Sequence, residues 1–212
     1  MFYERHVRRF EQIGRKQNRD LSDDELGVRT EKMRADRPFL EGLIRQMAGI
    51  DIEIQKRYRV YCLTTKPADT LMWSHYARNH TGICLEFHCR NDVFSSALQV
   101  AYCEGYPLLD LTDDSDETVL LPLITKAKVW TYEDEYRLIA QEKSQAFGAA
   151  SLITNGNLLA LPDGALLSVV VGCVAPESTI DAIRSIVQQS GQKVAVRRMV
   201  RAQNRYELAT SD

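Results

Sequence analysis

The rhythm of apolar and polar positions changes near residue 57. Before it the chain reads as charged helix. Apolar side chains between Phe2 and Phe10 fall on one helical face, and Ile13 continues it three residues on. Ser22-Asp23-Asp24-Glu25 has the form of a capping box, in which the Ser hydroxyl takes an orphan amide and Glu25 reaches back. A helix from about Asp23 is predicted to end before Pro38, which disfavours helical geometry at Arg37. Pro38 then suits the first position of a further helix through Leu40, Leu43, Ile44 and Met47.

From Tyr58 onward β-branched and aromatic residues dominate short runs. Strands are predicted over Tyr58–Leu63, Ile83–Phe87, Gln99–Cys103, Tyr132–Gln141, Leu158–Leu161, Leu166–Gly172, Lys193–Met199 and Tyr206–Ala209. Helices are predicted from Asp69 to Asn79, closed by Gly82, from Leu120 to Val129, and after Pro176 through Ile180, Ile183 and Ile186. Asp110 to Glu117 is an acidic stretch expected to be a surface loop. The expected class is α+β: a helical section over 1–57, packed on a mostly antiparallel or mixed sheet with short helices over 58–212. The apolar stripes of the first section need a partner, so they are expected to dock on the sheet domain or to build a homo-oligomer.

Composition narrows the function classes. Apolar residues are 44% and charged residues 26%, near the globular norm. With 27 basic and 29 acidic residues the net charge is −2, so no global field draws the chain to nucleic acid. No run of about 18 apolar residues points to a membrane. The five cysteines contain no Cys-x-x-Cys pair, and the plain expectation is a reduced, cytoplasmic protein without disulfides. None of the 11 glycines falls in a Gly-x-Gly-x-x-Gly or phosphate-loop pattern.

Two segments concentrate aromatic and ionisable residues. In the first, running from Leu71 to Gly82, a helix would put Trp73, Tyr76, Ala77 and His80 on one stripe. His75 and His80 would point roughly 140° apart and could not share a metal within a regular helix. Ser74 beside His75 cannot form a nucleophile–base pair, because adjacent helical side chains diverge by about 100°. Core packing is the plainer role for Trp73 and Tyr76, and a helix-end position the plainer one for His80. In the second segment, from Lys126 to Ile139, a strand would align Glu133, Glu135 and Arg137 on one face. Such a row is either a surface ion-pair ladder or a polar cleft floor beside Trp130, and Glu86 on the preceding strand would add a third carboxylate.

Both segments resemble the bacterial family called domain of unknown function 2971. The first carries Trp73-x-x-Tyr76-Ala77-x-x-His80-x-Gly82. The second carries Lys126, then Trp130-x-Tyr132-Glu133-x-Glu135-x-Arg137. The likeness extends from about Tyr58 to the C-terminus, including Val169-Val170-Val171-Gly172. The family's opening Phe-Asn-Asp-Pro type motif has no counterpart here, so this chain is expected to begin inside the family's helical section. The family name carries no activity.

Three function classes fit the residues. Glu133-Asp134-Glu135 is similar to the Glu-x-Glu of ADP-ribosyltransferases, which implies NAD as cofactor or substrate. By that resemblance Glu135 stabilises an oxocarbenium-like state and Glu133 orients the acceptor. His80 joins them in the catalytic set, and Tyr76 or Tyr132 stacks on nicotinamide. Trp73, His75, Glu86, Lys126, Trp130 and Arg137 complete the expected substrate-binding group. The second class is a non-enzymatic interaction module, in which the same network fixes one strand arrangement. The third is a metal-dependent phosphodiesterase or nuclease with Glu86, Glu133 and Glu135 around a hard cation and Lys126 beside the developing charge. Chemistry expects the two segments to meet, with His80 near Glu133 or Glu135.

Overall fold

A computed structural model describes residues 7, 8, 11, 12, 15, 22–42, 56–105, 107, 116–143, 152–205 and 207–211. Phe2, Phe10, Ile13, Leu43, Ile44, Met47 and Tyr206, and residues 110–115 of the acidic stretch, lie outside them. The class is α+β, with helices and mixed sheets. The residues fall into two compact units. Unit 1 comprises Met1–Val60, Ala101–Lys128 and Ile139–Asn157, and unit 2 comprises Tyr61–Val100, Val129–Leu138 and Leu158–Asp212.

In unit 1, α1 (Asp23–Ala35) starts where the capping box expects it. Ser22 Oγ accepts from the Glu25 amide, and the Glu25 carboxylate accepts from the Ser22 amide at 3.0 Å. The next helical turns begin at Arg37, one residue before Pro38, because the Asp36 carboxylate caps the Phe39 amide at 3.0 Å. β4 (Ala101–Cys103) pairs in parallel with β5 (Thr125–Ala127), which directly follows α3 (Asp116–Ile124). The helix expected after Pro122 therefore lies earlier, with Pro122 inside it.

β1 (Tyr58–Thr64) and β6 (Glu135–Glu142) each contribute residues to both units. Within unit 1, Ala140, Gln141 and Glu142 of β6 pair in parallel with β7 (Leu152–Thr154). The buried Gln141 amide donates to the Tyr58 hydroxyl at 3.1 Å, which satisfies a polar group that would otherwise be costly inside. The Glu142 carboxylate accepts from Thr154 Oγ1 and from the amides of Gly156 and Asn157 at 2.8–2.9 Å. The predicted strand at Leu158–Leu161 is not formed; Gly156 and Asn157 turn the chain in left-handed geometry instead.

In unit 2, α2 (Thr70–Tyr76) is capped by Asp69, whose carboxylate accepts from the amides of Leu71 and Met72. A four-stranded sheet has the order β10–β9–β8–β2, formed by β2 (Ile83–Phe87), β8 (Leu166–Val171), β9 (Ala195–Arg201) and β10 (Leu208–Ser211). The β8–β9 pair is parallel because α4 (Glu177–Ser190) crosses between them, ended by left-handed Gly191. Val171, Ala175 and Ile180 make one core cluster of this unit. Trp73 and Ala77 of α2 form another with Val170, Met199 and Leu208. The predicted strand at Gln99–Cys103 is split: β3 (Leu98–Gln99) pairs with the start of β6 in unit 2, and β4 belongs to unit 1. All five cysteines carry free thiols.

Candidate functional site

The first segment bends sharply after α2. The helix ends at Tyr76 rather than Asn79, because Arg78, Asn79 and His80 all adopt left-handed backbone, with φ of 47°, 53° and 66°. Each such residue carries a steric cost for an L-amino acid, so the turn persists only where its surroundings over-determine it. They do. The His80 amide reaches back to the Trp73 carbonyl at 3.1 Å, and the Gly82 amide to Ala77 at 2.7 Å. From the end of β8, the Val174 amide donates to the His80 carbonyl at 3.1 Å and the Gly172 amide to Gly82 at 2.9 Å. Gly172 is required here, since a Cβ on it would sit 2.0 Å from the His80 carbonyl oxygen.

His80 consequently leaves the helical stripe expected for it. Its Nε2 lies 3.0 Å from Ser74 Oγ, a pairing across six residues that no regular helix allows. His80 Nδ1 is buried without a hydrogen-bond partner, so the ring forms no direct bond to Glu133 or Glu135. Trp73 is a core residue, 3% exposed, with its indole N–H on the Pro67 carbonyl. Tyr76, on the opposite flank of α2 from Ser74, is 60% exposed.

The second segment is a 3-10 helix over Lys128–Glu133 followed by β6, not a strand from Tyr132. Asp134 takes a φ of 44° between the two. Glu133 therefore leaves the face expected for it, and only Glu135 and Arg137 share one side of the strand. Thr64 Oγ1 donates to the Glu133 carbonyl and Thr65 Oγ1 to the Asp134 carboxylate, which secures the corner. Both carboxylates are interior: Glu133 is 2% and Glu135 3% exposed.

The segments meet through α2. Tyr76 Oη donates to Glu133 Oε1 at 2.7 Å, and the His75 ring stands edge-on to Trp130 with centroids 6.3 Å apart. Trp130 in turn lies 6.0 Å from Tyr132. Arg137 grips Glu135 with both arms, Nε to Oε1 at 2.8 Å and the second nitrogen to Oε2 at 3.3 Å. Burial works against the Arg137 cation, but Glu135 and then Cys62 together outweigh it, so the guanidinium is held charged with its pKa raised.

One expected member stands elsewhere. Glu86 on β2 accepts from Ser168 Oγ at 2.6 Å and from Arg197 at 3.1 Å. Lys126 belongs to β5 in unit 1, opposite Tyr102. Among the described residues no three His, Cys, Asp or Glu side chains are grouped so as to hold a metal ion. Thr64 and Thr65 were missed by the sequence reading, which named Ser74 and Gly172 but not the contacts they make here. Asn79 and Gly82, residues tolerant of turns, were the available hints of the left-handed corner.

Among the described residues no helix is long and apolar enough to cross a membrane. No curated protein and no solved structure matches the chain. Residues 72–138, which include the motifs from Trp73 to Gly82 and from Lys126 to Arg137, match the family described as Protein of unknown function (DUF2971), and the resemblance read from the residues is borne out over that stretch.

Proposed function

We propose that unit 2 carries an ADP-ribosyltransferase-like site acting on NAD. The observation that carries the reading is a buried carboxylate reached from solvent by one exposed phenol: Glu133 beneath Tyr76. Around it, Tyr76, His75, Trp130 and Tyr132 offer ring faces for a planar base or nicotinamide. Backbone strain at His80 and at Asp134 flanks the same place, as it often does where geometry serves function.

In this reading the ligand-facing role moves from Glu135 to Glu133. Arg137 occupies both oxygens of Glu135, so that carboxylate is already neutralised. Glu133 accepts a ribose hydroxyl, and its charge opposes the positive charge developing at the anomeric carbon. The carbon–nitrogen bond to nicotinamide breaks, its electron pair leaving with the neutral base. A nucleophile then bonds to that carbon and releases its proton to water or a carboxylate. Glu135 positions Arg137 at the edge of this site. Glu86, held by Ser168 and Arg197, has no part in it, and the metal-dependent reading lacks a donor group among the described residues.

A non-enzymatic module is the second reading, favoured by the Glu135–Arg137 pair, which needs no ligand to be satisfied. The test is nicotinamide release from NAD, with protein-bound ADP-ribose read by mass spectrometry. Release by wild type and its loss in Glu133→Gln supports the enzyme. Absence of both NAD binding and release in a folded wild type leaves the module.

A further inference from the structure

We infer that Ser74 is a nucleophile with His80 as its base, and that it takes up the acyl group of an activated carboxylic ester. This goes beyond the reading of Glu133 and does not rest on it, because Ser74 and Tyr76 lie roughly 200° apart around α2.

Helical geometry keeps Ser74 from the adjacent His75, and the fold supplies a different histidine. His80 Nε2 stands 3.0 Å from Ser74 Oγ, within the reach that proton transfer from a hydroxyl to a base requires. Both side chains are half-buried, so the hydroxyl is neither sealed in the core nor free in water. Stability does not account for this arrangement. It needs three successive non-glycine residues in left-handed backbone. It also encloses His80 Nδ1 with no hydrogen-bond partner among the described residues, where a structural histidine would be satisfied at both nitrogens. Glycine at position 80 would make the same turn with less strain. What glycine would lack is the imidazole beside Ser74.

The orphan nitrogen sets the class of electrophile. For Nε2 to accept the Ser74 proton, Nδ1 must carry the other hydrogen. The imidazolium then formed holds a buried N–H with no carboxylate to oppose its charge. Such a base is weak. It assists attack on a carbonyl whose leaving group departs readily, as in an aryl ester, and not on an amide. Ser74 Oγ bonds to the carbonyl carbon as its proton passes to Nε2. The carbon–oxygen bond to the leaving group then breaks, and the departing alkoxide takes that proton. The acyl group stays on Ser74. Water must be activated by the same weak base to remove it, so uptake outpaces release.

Wild type, Ser74→Ala and His80→Gln are mixed with p-nitrophenyl acetate at neutral pH. Nitrophenolate release is followed by absorbance, and the acetylated residue is mapped by peptide mass spectrometry. Wild type should release about one equivalent per chain in a rapid phase before slow turnover, with the acetyl group on Ser74. Ser74→Ala should lose the rapid phase, and His80→Gln should slow it about a hundredfold, as expected for loss of a positioned base. The amide analogue p-nitroacetanilide should leave Ser74 unmodified. Because His80→Gln also bears on the corner, Ser74→Cys gives an independent measure. Beside His80 the introduced thiol should react with iodoacetamide at mildly acidic pH roughly tenfold faster than the exposed Cys89. No rapid phase in wild type, acetylation confined to other residues, or equal Ser74 acetylation in wild type and His80→Gln overturns the inference. An introduced thiol no faster than Cys89 does the same, and acetylation of Ser74 by the anilide overturns the ester class.

Discussion

Arg137 holds the carboxylate of Glu135 from two positions further along the same strand, with both residues inside the protein. Alternation along β6 puts them on one face, and the planar guanidinium matches the carboxylate arm for arm. Removing one partner takes from the other the charge that matches it. Arg137→Ala is therefore expected to cost about 3–5 kcal/mol in urea unfolding, and Glu135→Gln less, on the order of 1–3 kcal/mol. Losses below about 1 kcal/mol for Arg137→Ala would show that the pair is solvated in solution.

The left-handed corner makes a prediction of the opposite sign. Arg78 is exposed and carries a φ of 47°, where glycine avoids the clash that an L side chain meets. Arg78→Gly should stabilise the protein by about 0.5–1 kcal/mol, the relieved strain exceeding the entropy glycine adds to the unfolded chain. A drop in melting temperature would contradict the geometry.

Gly172 should tolerate no side chain. A methyl there would lie 2.0 Å from the His80 carbonyl oxygen, and both atoms belong to hydrogen-bonded backbone. Gly172→Ala is expected to cost about 3 kcal/mol or more. At Gly82 the nearest approach is 3.0 Å, so Gly82→Ala should be milder. Equal melting temperatures for Gly172→Ala and wild type would refute the close approach.

Acid should weaken unit 1 through Glu142. The Asn157 amide, then Thr154 and the Gly156 amide, hold its carboxyl below the usual value of 4.5. A lowered folded-state pKa contributes stability that is complete above 4.5 and lost as pH falls through the folded value. Glu25 in the capping box shifts the same way, first through the Ser22 amide. Glu142→Gln should flatten the acid limb of stability against pH, measured by urea midpoints between pH 6 and roughly pH 3.

How much of this was legible in the residues depends on the range of the forces involved. The capping box at Ser22 and Glu25, the Asp69 start of α2 and the Gly191 end of α4 are local, and the sequence announces them or their helices. The Glu135–Arg137 face followed from strand alternation alone. What was not legible is set by partners distant in sequence. His80 leaves its helix because Val174 and Gly172 capture the corner, and Glu133 leaves its strand where Thr64 and Thr65 secure a turn. The Ser74–His80 pair exists only because of that corner, so helical spacing, which rules out the adjacent Ser74 and His75, gave no sign of it.

The corner at Arg78–His80 also bears on the order in which the protein folds. Its two outer anchors come from Gly172 and Val174, some ninety residues away, and they reach it only once β2 lies beside β8. The strain is thus accepted late, after the barrier that assembles the sheet. Changes at the corner should then appear almost wholly in the unfolding arm of a chevron, with φ-values near zero. Relieving its strain would lengthen the lifetime of the native state and leave the rate of reaching it unaltered.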